Sequence, residues 1–459
     1  MRFTFLLGVA VVSFIPLTAR SQTVPPTTGP GARASMAQFV QPPEPRPLNE
    51  GELLPAPEPG RHHAAGLTLS DLEQMALQNN PTLSQAQAQV RAARGVWQQV
   101  GLYPNPVAGY AAEEMGDAGT AGKQGGFVGQ EFVTGGKLRL NRQVACQEVI
   151  RLQQELAAQQ FRVLTDIQTG FYDALVAQRT IELADRLVKI AEEGVQTAEA
   201  LMKAKEGSRV DILQARVERN TARILYENAR NRHQGVWRRL AAVVGMPDMA
   251  PAQLAGNIED TGLPVRWEDA LSRVLSESPE LAAAAAEVQA AQWSTQRARV
   301  EWIPNVGVQA TVQHDNASGD DVAGVQVALP LPLFNRNQGN IVAADSRLIA
   351  AQRNVERVRL NLQSRLAEVF QRYANAGQQV EKYRGTILPD AKETLDLVAS
   401  GYQQGEFSYL NLLTAQRTYF QSNLAYLNSL LQLKSAQVQI EGLLLNESLN
   451  GSSGQRGKP

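Results

Sequence analysis

The residues able to do chemistry in this chain are few and scattered. There are four histidines and one cysteine. His62 and His63 are adjacent, while His233 and His314 each stand alone in the sequence. A metal site needs three or four converging ligands. The adjacent pair therefore reads as solvated linker, and the other two as structural or solvated side chains. Cys146 excludes an intramolecular disulfide framework or a cysteine-rich metal site, and reads as a small buried residue on a helix. No Gly-x-Ser-x-Gly elbow and no nucleophile–base constellation is present, so no hydrolase site is expected. No catalytic residue, cofactor or resident metal is expected. Lys and Arg number 44 against 45 Asp and Glu, a balance that offers no field to recruit nucleic acid.

With so little to position, the elements themselves carry the information, and they occur twice. Asn80-Pro81-Thr82-Leu83 is echoed by Ser278-Pro279-Glu280-Leu281, and Tyr103-Pro104-Asn105 by Ile303-Pro304-Asn305. Gly207 with Val210-Asp211-Ile212-Leu213 is echoed by Gly405 with Leu410-Asn411-Leu412-Leu413. The period is about 200 residues, far too long for a solenoid. It marks two fused copies of one unit, expected at 67–262 and 263–446.

Each copy opens with a short helix that stops before a proline, because the residue preceding proline disfavours helical geometry. A second helix starts on that proline, which is tolerated in a first turn. Pro104 and Pro304 end it. Then Val306, Val308, Ala310 and Val312 alternate with Gly307, Gln309, Thr311 and Gln313, which is the period of a strand with one apolar face. Strands are expected at about 105–115, 126–134, 305–314 and 322–331, with a loop from Gly116 to Gly126 in the first copy. Gly135 and Gly136 mark the return to helix.

Beyond them, apolar or small residues recur from Ala145 to Met202 with a mean step of about 3.56 residues, between the supercoiled 3.5 and the straight 3.6. A proline-free helix from Lys137 to Ala204 would run about 100 Å. The chain then turns at Gly207 and returns, giving a long hairpin at about 137–244. The second copy has its own hairpin at about 337–445, turning at Gly405, with Pro389 expected to kink or split the long helix.

Arg2, the apolar run Phe3–Ile15 and the small residues to Ser21 predict a secretory signal at 1–21. The proline-rich stretch 22–66 predicts an extended linker, and 447–459 a disordered tail. Four strands cannot close a barrel, and open edges are not tolerated in lipid. Three copies supply twelve strands, an even number within the range of outer-membrane barrels. The expected fold is mainly α with a small β part, built from duplicated helix–strand–strand–helix–helix units. It forms a homotrimeric 12-stranded β-barrel continued by a long α-helical tunnel in the periplasm. Glu113-Glu114 and Asp320-Asp321 are then ordinary loop charge, or an acidic vestibule at the outer mouth.

From about Leu67 to Leu445 the chain resembles the TolC-like outer-membrane factors of tripartite efflux and type I secretion systems. Tyr103-Pro104-Asn105-Pro106, Gln130-Glu131-Phe132 and Gly135-Gly136-Lys137 resemble the heavy-metal, cobalt–zinc–cadmium branch. The resemblance implies a passive conduit in outer-membrane lipid. Its partners would be a periplasmic adaptor and an inner-membrane pump, of the resistance–nodulation–division type or an ABC exporter. It places adaptor contacts at the turns around Gly207 and Gly405. It matches Asp211 to the family's latch aspartate and Tyr402 to its tyrosine partner, with Asn411 and Thr414 where relatives carry an acidic ring. Asp211 is also placed to cap the returning helix. Many relatives are lipoproteins; no cysteine follows the signal segment here, so no lipid anchor is expected. The alternatives are a type I protein-secretion channel, or a periplasmic coiled-coil scaffold whose strands pack on a partner.

Overall fold

The computed structural model describes residues 66–117, 120–205, 207–260 and 264–450. The expected signal and nearly all of the expected linker, with His62-His63, lie outside them. Element order is α1 (Leu69–Asn79), α2 (Pro81–Gln99), β1 (Val107–Asp117), β2 (Thr120–Phe132), α3 (Lys137–Lys203) and α4 (Arg209–Val244). The same order follows as α5 (Trp267–Glu277), α6 (Pro279–Arg299), β3 (Val306–Asp315), β4 (Asp321–Ala328), α7 (Gln338–Lys382), a π turn (Tyr383–Ile387), α8 (Leu388–Gln403) and α9 (Tyr409–Glu441).

Local chemistry sets the helix ends. Thr68 caps α1 in a reciprocal box with Asp71, and Ser208 caps α4 in the same way with Asp211. Asn80 and Ser278 each end one helix and cap the next, their side-chain oxygens accepting from Thr82 N and Leu281 N, with proline following. The long helix of the second copy is interrupted ahead of Pro389. A proline there has no N–H to donate and its ring crowds the preceding turn, so the helix widens to a π turn in which Leu388 N donates to Tyr383 O.

The four strands form one antiparallel sheet in the order β1-β2-β3-β4. Val308 pairs with Val327, Ala310 with Val325 and Val312 with Ala323, so these apolar residues of β3 and β4 lie on one face. Gln130, Val128 and Gly126 of β2 continue that face, followed by Ala108 and Tyr110 of β1. Several boundaries differ from expectation, β1 running Val107–Asp117 where about 105–115 is expected. The loop Gly116–Gly126 is mostly strand: β2 begins at Thr120 and pairs Lys123 with Glu113 and with Asp315. Its glycines give no alternation to read, yet a central strand is held by backbone pairing on both sides, which glycine supplies as well as valine. At the other end β2 stops at Phe132, short of 134. β4 stops at Ala328, short of 331, ahead of Pro330, which has no N–H for a ladder.

The helices stand as four neighbouring columns below these strands. Next to the sheet the packing order is α2, α3, α6, α7; toward the hairpin ends it is α4, α3, α9, α8. Along the columns, α4 thus continues the place of α2 beside α3, and α9 that of α6. The largest core gathers Leu72, Phe171, Leu175, Trp237 and Leu430, with Trp237 Nε1 donating to Met249 O at 2.8 Å. A second core packs α5 on α7 around Val274, Leu362 and Leu366. Residues 447–450 of the expected tail are held in place, and the rest of it lies outside the described residues. Glu447 N and Ser448 N donate to the Asp166 carboxylate at 3.0 and 2.6 Å, which orders the chain to 450. Partners 281 and 282 residues away in sequence left no local signal of this.

Close packing through small residues is the working element of the columns. Ala222 of α4 is 0% exposed among Leu183, Leu187 and Ala191 of α3 and Phe420 of α9. Ala222→Leu should therefore overpack this junction by about 1–3 kcal/mol. The expected result is a clearly lowered Tm of the helical circular-dichroism signal. An unchanged Tm would mean that the junction has room to spare.

Candidate functional site

The two hairpin turns use different devices. In the α3–α4 turn, Lys205 takes the left-handed conformation at φ +64°, and Gly207 does not. Gly207 serves close approach instead: its N–H donates to Leu201 O at 3.1 Å, and a Cβ there would sit 2.9 Å from Met202 N. In the α8–α9 turn Gly405 itself has φ +77°, and Glu406 N donates to Gly401 O at 2.8 Å. The second turn thus needs its glycine for conformation and the first for space.

Just inside the turns, Tyr402 of α8 and Tyr409 of α9 are buried with ring centroids 5.8 Å apart. They pack with Ile212 and Ala215 of α4 and Leu412 of α9. Burial pushes the Tyr402 hydroxyl above the usual phenol range, with the nearby Asp211 carboxylate adding to it. Within one protomer the Asp211 carboxylate is engaged as the α4 cap, accepting from Ser208 N at 3.0 Å. No hydrogen bond from Tyr402 to Asp211 is found among the described residues. Asn411 and Thr414 are exposed at successive turns of one α9 face, and the Thr414 hydroxyl donates to its own Leu410 carbonyl at 2.8 Å.

The link that joins the two hairpins here is one the sequence did not disclose. Arg417 of α9 donates to both carboxylate oxygens of Glu218 on α4, at 2.7 and 3.4 Å. The Glu218 side chain is only 5% exposed. A bidentate guanidinium–carboxylate pair fixes orientation as well as distance. The one available signal was Glu218's place on the face of α4 that also carries Ile212, Ala215 and Ala222, where a charge needs a partner.

At the other end, a polar knot turns strand into helix. Asn305 accepts from Lys137 Nζ at 3.0 Å and Thr134 N at 3.3 Å, and donates to Glu131 Oε1 at 2.7 Å. Pro304 O accepts from the Thr134 hydroxyl, and Pro104 O from Gln130 Nε2 at 2.9 Å. Gly135 and Gly136 both have φ +65°, which lets α3 start beneath the sheet. The chain motifs singled out in the two copies thus meet at one place.

Two of the scattered residues change character. His314 is not isolated: its Nδ1 lies 2.9 Å from Asp321 Oδ1 across the β3–β4 pair. Cys146 is only half-buried on α3. His233 lies on α4 with its ring 6.2 Å from that of Trp237, and burial lowers its pKa. Among the described residues no group of three or more His, Cys, Asp or Glu could hold a metal ion. Nor, among them, is any helix long and apolar enough to cross a membrane. The geometry is that of a sheet with an exposed apolar face, continued by helical columns of which α3 alone spans 67 residues.

The model for outer membrane efflux proteins matches residues 72–246 and 270–444, once on each copy. The chain belongs to the outer membrane efflux protein family. It is similar to the cobalt-zinc-cadmium resistance protein CzcC of Cupriavidus metallidurans, 29% identical over 84% of this chain and 91% of that protein. It is also similar to the nickel-cobalt-cadmium resistance protein NccC of Alcaligenes xylosoxydans xylosoxydans, 26% identical over 63% of this chain and 67% of that one. Its fold is that of the open-state MtrE outer membrane channel of Neisseria gonorrhoeae, with TM-score 0.70 at 20% identity, covering 83% of this chain and 90% of that chain. This efflux protein accordingly belongs to the outer membrane, and its work is transport.

Two outcomes follow for its hairpin ends. Tyr409 has its pKa pushed up to about 12 by burial and then by the Glu218 carboxylate, against about 10 in an unfolded chain. The neutral phenol is therefore favoured by folding. That contribution is complete below pH ~10 and is lost as pH rises through about 12. Tyr409→Phe should flatten the loss of helical stability across that window, and phenolate absorbance should show one late-titrating tyrosine disappear. Separately, Gly405→Val places a β-branched residue at φ +77°, costing about 1–3 kcal/mol locally. Limited proteolysis should then cut around residues 401–409 faster, with the sheet end unaffected. An unchanged digestion pattern would contradict the strain assigned to this turn.

Proposed function

We propose that three copies of this chain close into one channel: a 12-stranded barrel in the outer membrane, continued through the periplasm by the helical columns. The observation that carries this is the sheet. Its apolar face is bare, with Val325 76% and Val327 65% exposed, while β1 and β4 have unpaired outer edges within the protomer. In hydrocarbon, an open edge leaves unsatisfied N–H and C=O groups, and closure removes them. The opposite face, with Gln309, Thr311, Gln313 and several glycines, suits a water-filled lumen. Tyr103, Phe132, Trp302 and Phe334 are exposed where strands give way to helices, which is where an interfacial aromatic girdle belongs.

The cargo proposed is divalent heavy-metal cations, supported by the names of CzcC and NccC. The channel is passive. The turns around Gly207 and Gly405 meet a periplasmic adaptor, and an energised inner-membrane pump of the resistance–nodulation–division type selects the cation. No lipid anchor is part of this reading. With Asn411 and Thr414 in place of an acidic ring, the tunnel end should be less cation-selective than an acid-lined relative. Asp211 and Tyr402 remain a candidate latch, one that would have to form in a state where Asp211 shares its carboxylate with the cap.

Light scattering in detergent, corrected for bound detergent, should give the mass of three chains. A stable monomer with an intact β-signal would refute the closed channel. Deleting the protein should lower tolerance to cobalt, zinc and cadmium. Normal metal tolerance with raised sensitivity to organic drugs would refute the proposed cargo and leave the channel standing.

A further inference from the structure

A polar groove of about 910 Å³ opens across α2, α3, α6 and α7 of one protomer, beside the ordered end of the chain. Its apolar lining is small: four alanines, Val358 and Pro279, with no aromatic ring among the described residues. Such a lining gives no hold on a flat or greasy molecule and suits a small, strongly hydrated one. Toward the sheet the groove passes Gln85 and Gln89 of α2 and Asn354 and Asn361 of α7, amides that can both donate and accept.

The floor of the groove is electropositive. Both α2 and α6 begin there, with Thr82 and Glu280 in their first turns, so the duplication opens two helix N-termini onto it. Each such end is equivalent to about half a positive charge. Arg162 of α3 and Arg365 of α7 both hold the Glu280 carboxylate, at 3.3 and 2.9 Å. Arg162 and Glu280 are each 25% exposed and Arg365 32%, so solvent screens them incompletely. Two guanidiniums and two helix ends against one carboxylate leave positive charge in excess. The nearby Asp166 carboxylate is already occupied by Glu447 N and Ser448 N. Arg162 is the loosely held member of the floor, its further bond being to Gln159 Oε1 at 3.4 Å.

A second, independent feature of the floor points to a ligand. Ser448 lines the groove at 2% exposure, and its Oγ has no hydrogen-bond partner among the described residues. Its backbone is fixed on both sides, Ser448 N donating to Asp166 and Ser448 O accepting from Gln159 Nε2 at 2.8 Å. The same Gln159 Nε2 donates to Thr82 Oγ1 at 2.7 Å, so the hydroxyl belongs to a network that is otherwise satisfied. A buried hydroxyl left unpaired is costly, and an oxyanion beside Arg162 would accept from it.

We infer that the floor of this groove is a binding site for a soluble phosphomonoester, its phosphate held by Arg162, Arg365, the Ser448 hydroxyl and the two helix ends, and its hydroxyl-rich body received by the amides toward the sheet. A phosphomonoester brings three acceptor oxygens and about −1.5 to −2 charge, which suits donors arriving from several sides. A carboxylate, with two oxygens and one charge, would leave part of the floor unanswered. Glu280 holds the same guanidiniums and therefore competes with the ligand. Every lining residue belongs to one protomer, so the site does not depend on the trimeric reading.

The test uses the purified full chain in detergent and titration calorimetry with glycerol phosphate, inorganic phosphate and glycerol. Glycerol phosphate should bind and glycerol should not. No heat from either phosphate probe would overturn the site, and glycerol binding as well as its phosphate would overturn the oxyanion floor. Inorganic phosphate binding as tightly as glycerol phosphate would overturn the role given to the amides and support the floor. Equal binding of a short-chain phosphatidylglycerol, a diester, would move the site to lipid headgroups and overturn the monoester. Arg162→Gln should weaken binding about ten-fold through the lost charge-assisted bonds. Ser448→Ala should weaken it about three-fold with an unchanged Tm, because the hydroxyl bonds nothing else. Glu280→Gln should tighten binding about ten-fold, since the competing carboxylate is gone. A groove that merely packs the columns predicts the opposite sign, so weaker binding in Glu280→Gln at an unchanged Tm would overturn the assignment.

Discussion

A backbone in hydrocarbon cannot leave N–H and C=O groups unpaired, and each one left bare costs several kcal/mol. In this chain the constraint is met inside the sheet, where β2 and β3 are paired on both sides, and left unmet at β1 and β4. The apolar face, the glycine-rich middle strand and the helical columns are all arranged around those two free edges. The sheet alone is too small to be stable in lipid, and the columns alone have no reason to be so long. The proposed closure with further copies would give both a purpose.

The second requirement is mechanical. A sheet of period two must pass into columns of period 3.6 without losing register. The junction around Asn305 does this with polar groups. It ties Glu131, Thr134 and Lys137 of the first copy to the Pro304-Asn305 step of the second. Lys137 is 4% exposed there, with its Nζ donating to the Asn305 amide oxygen. The knot therefore links the two duplicated units at the place where each changes secondary structure.

At the far end the requirement reverses, since the hairpins of an efflux channel must hold together without being welded. The pair Arg417–Glu218, and the tilted rings of Tyr402 and Tyr409 packed on Ile212 and Ala215, join the two hairpins of one protomer near the tip. Breaking that pair would leave a nearly buried carboxylate without its cation, which is much more costly than the net worth of the pair. This makes each protomer's hairpins a unit.

The sequence by itself determined what depends on near neighbours. Prolines after Asn80 and Ser278 set helix starts, alternation set β3, a 3.6-type period set α3, and the duplication set the element order. Gly405 was legible as a turn, because a left-handed residue with no Cβ is a local need. Tertiary structure alone decided whatever depends on partners far along the chain. The glycine-rich run of β2 became strand because neighbours on both sides supply its hydrogen bonds. His314 gained Asp321, the end of the chain gained Asp166, and Glu218 gained an arginine 199 residues away. Side-chain type announces that a buried charge needs a partner. Only the folding of one hairpin against the other decides which partner arrives.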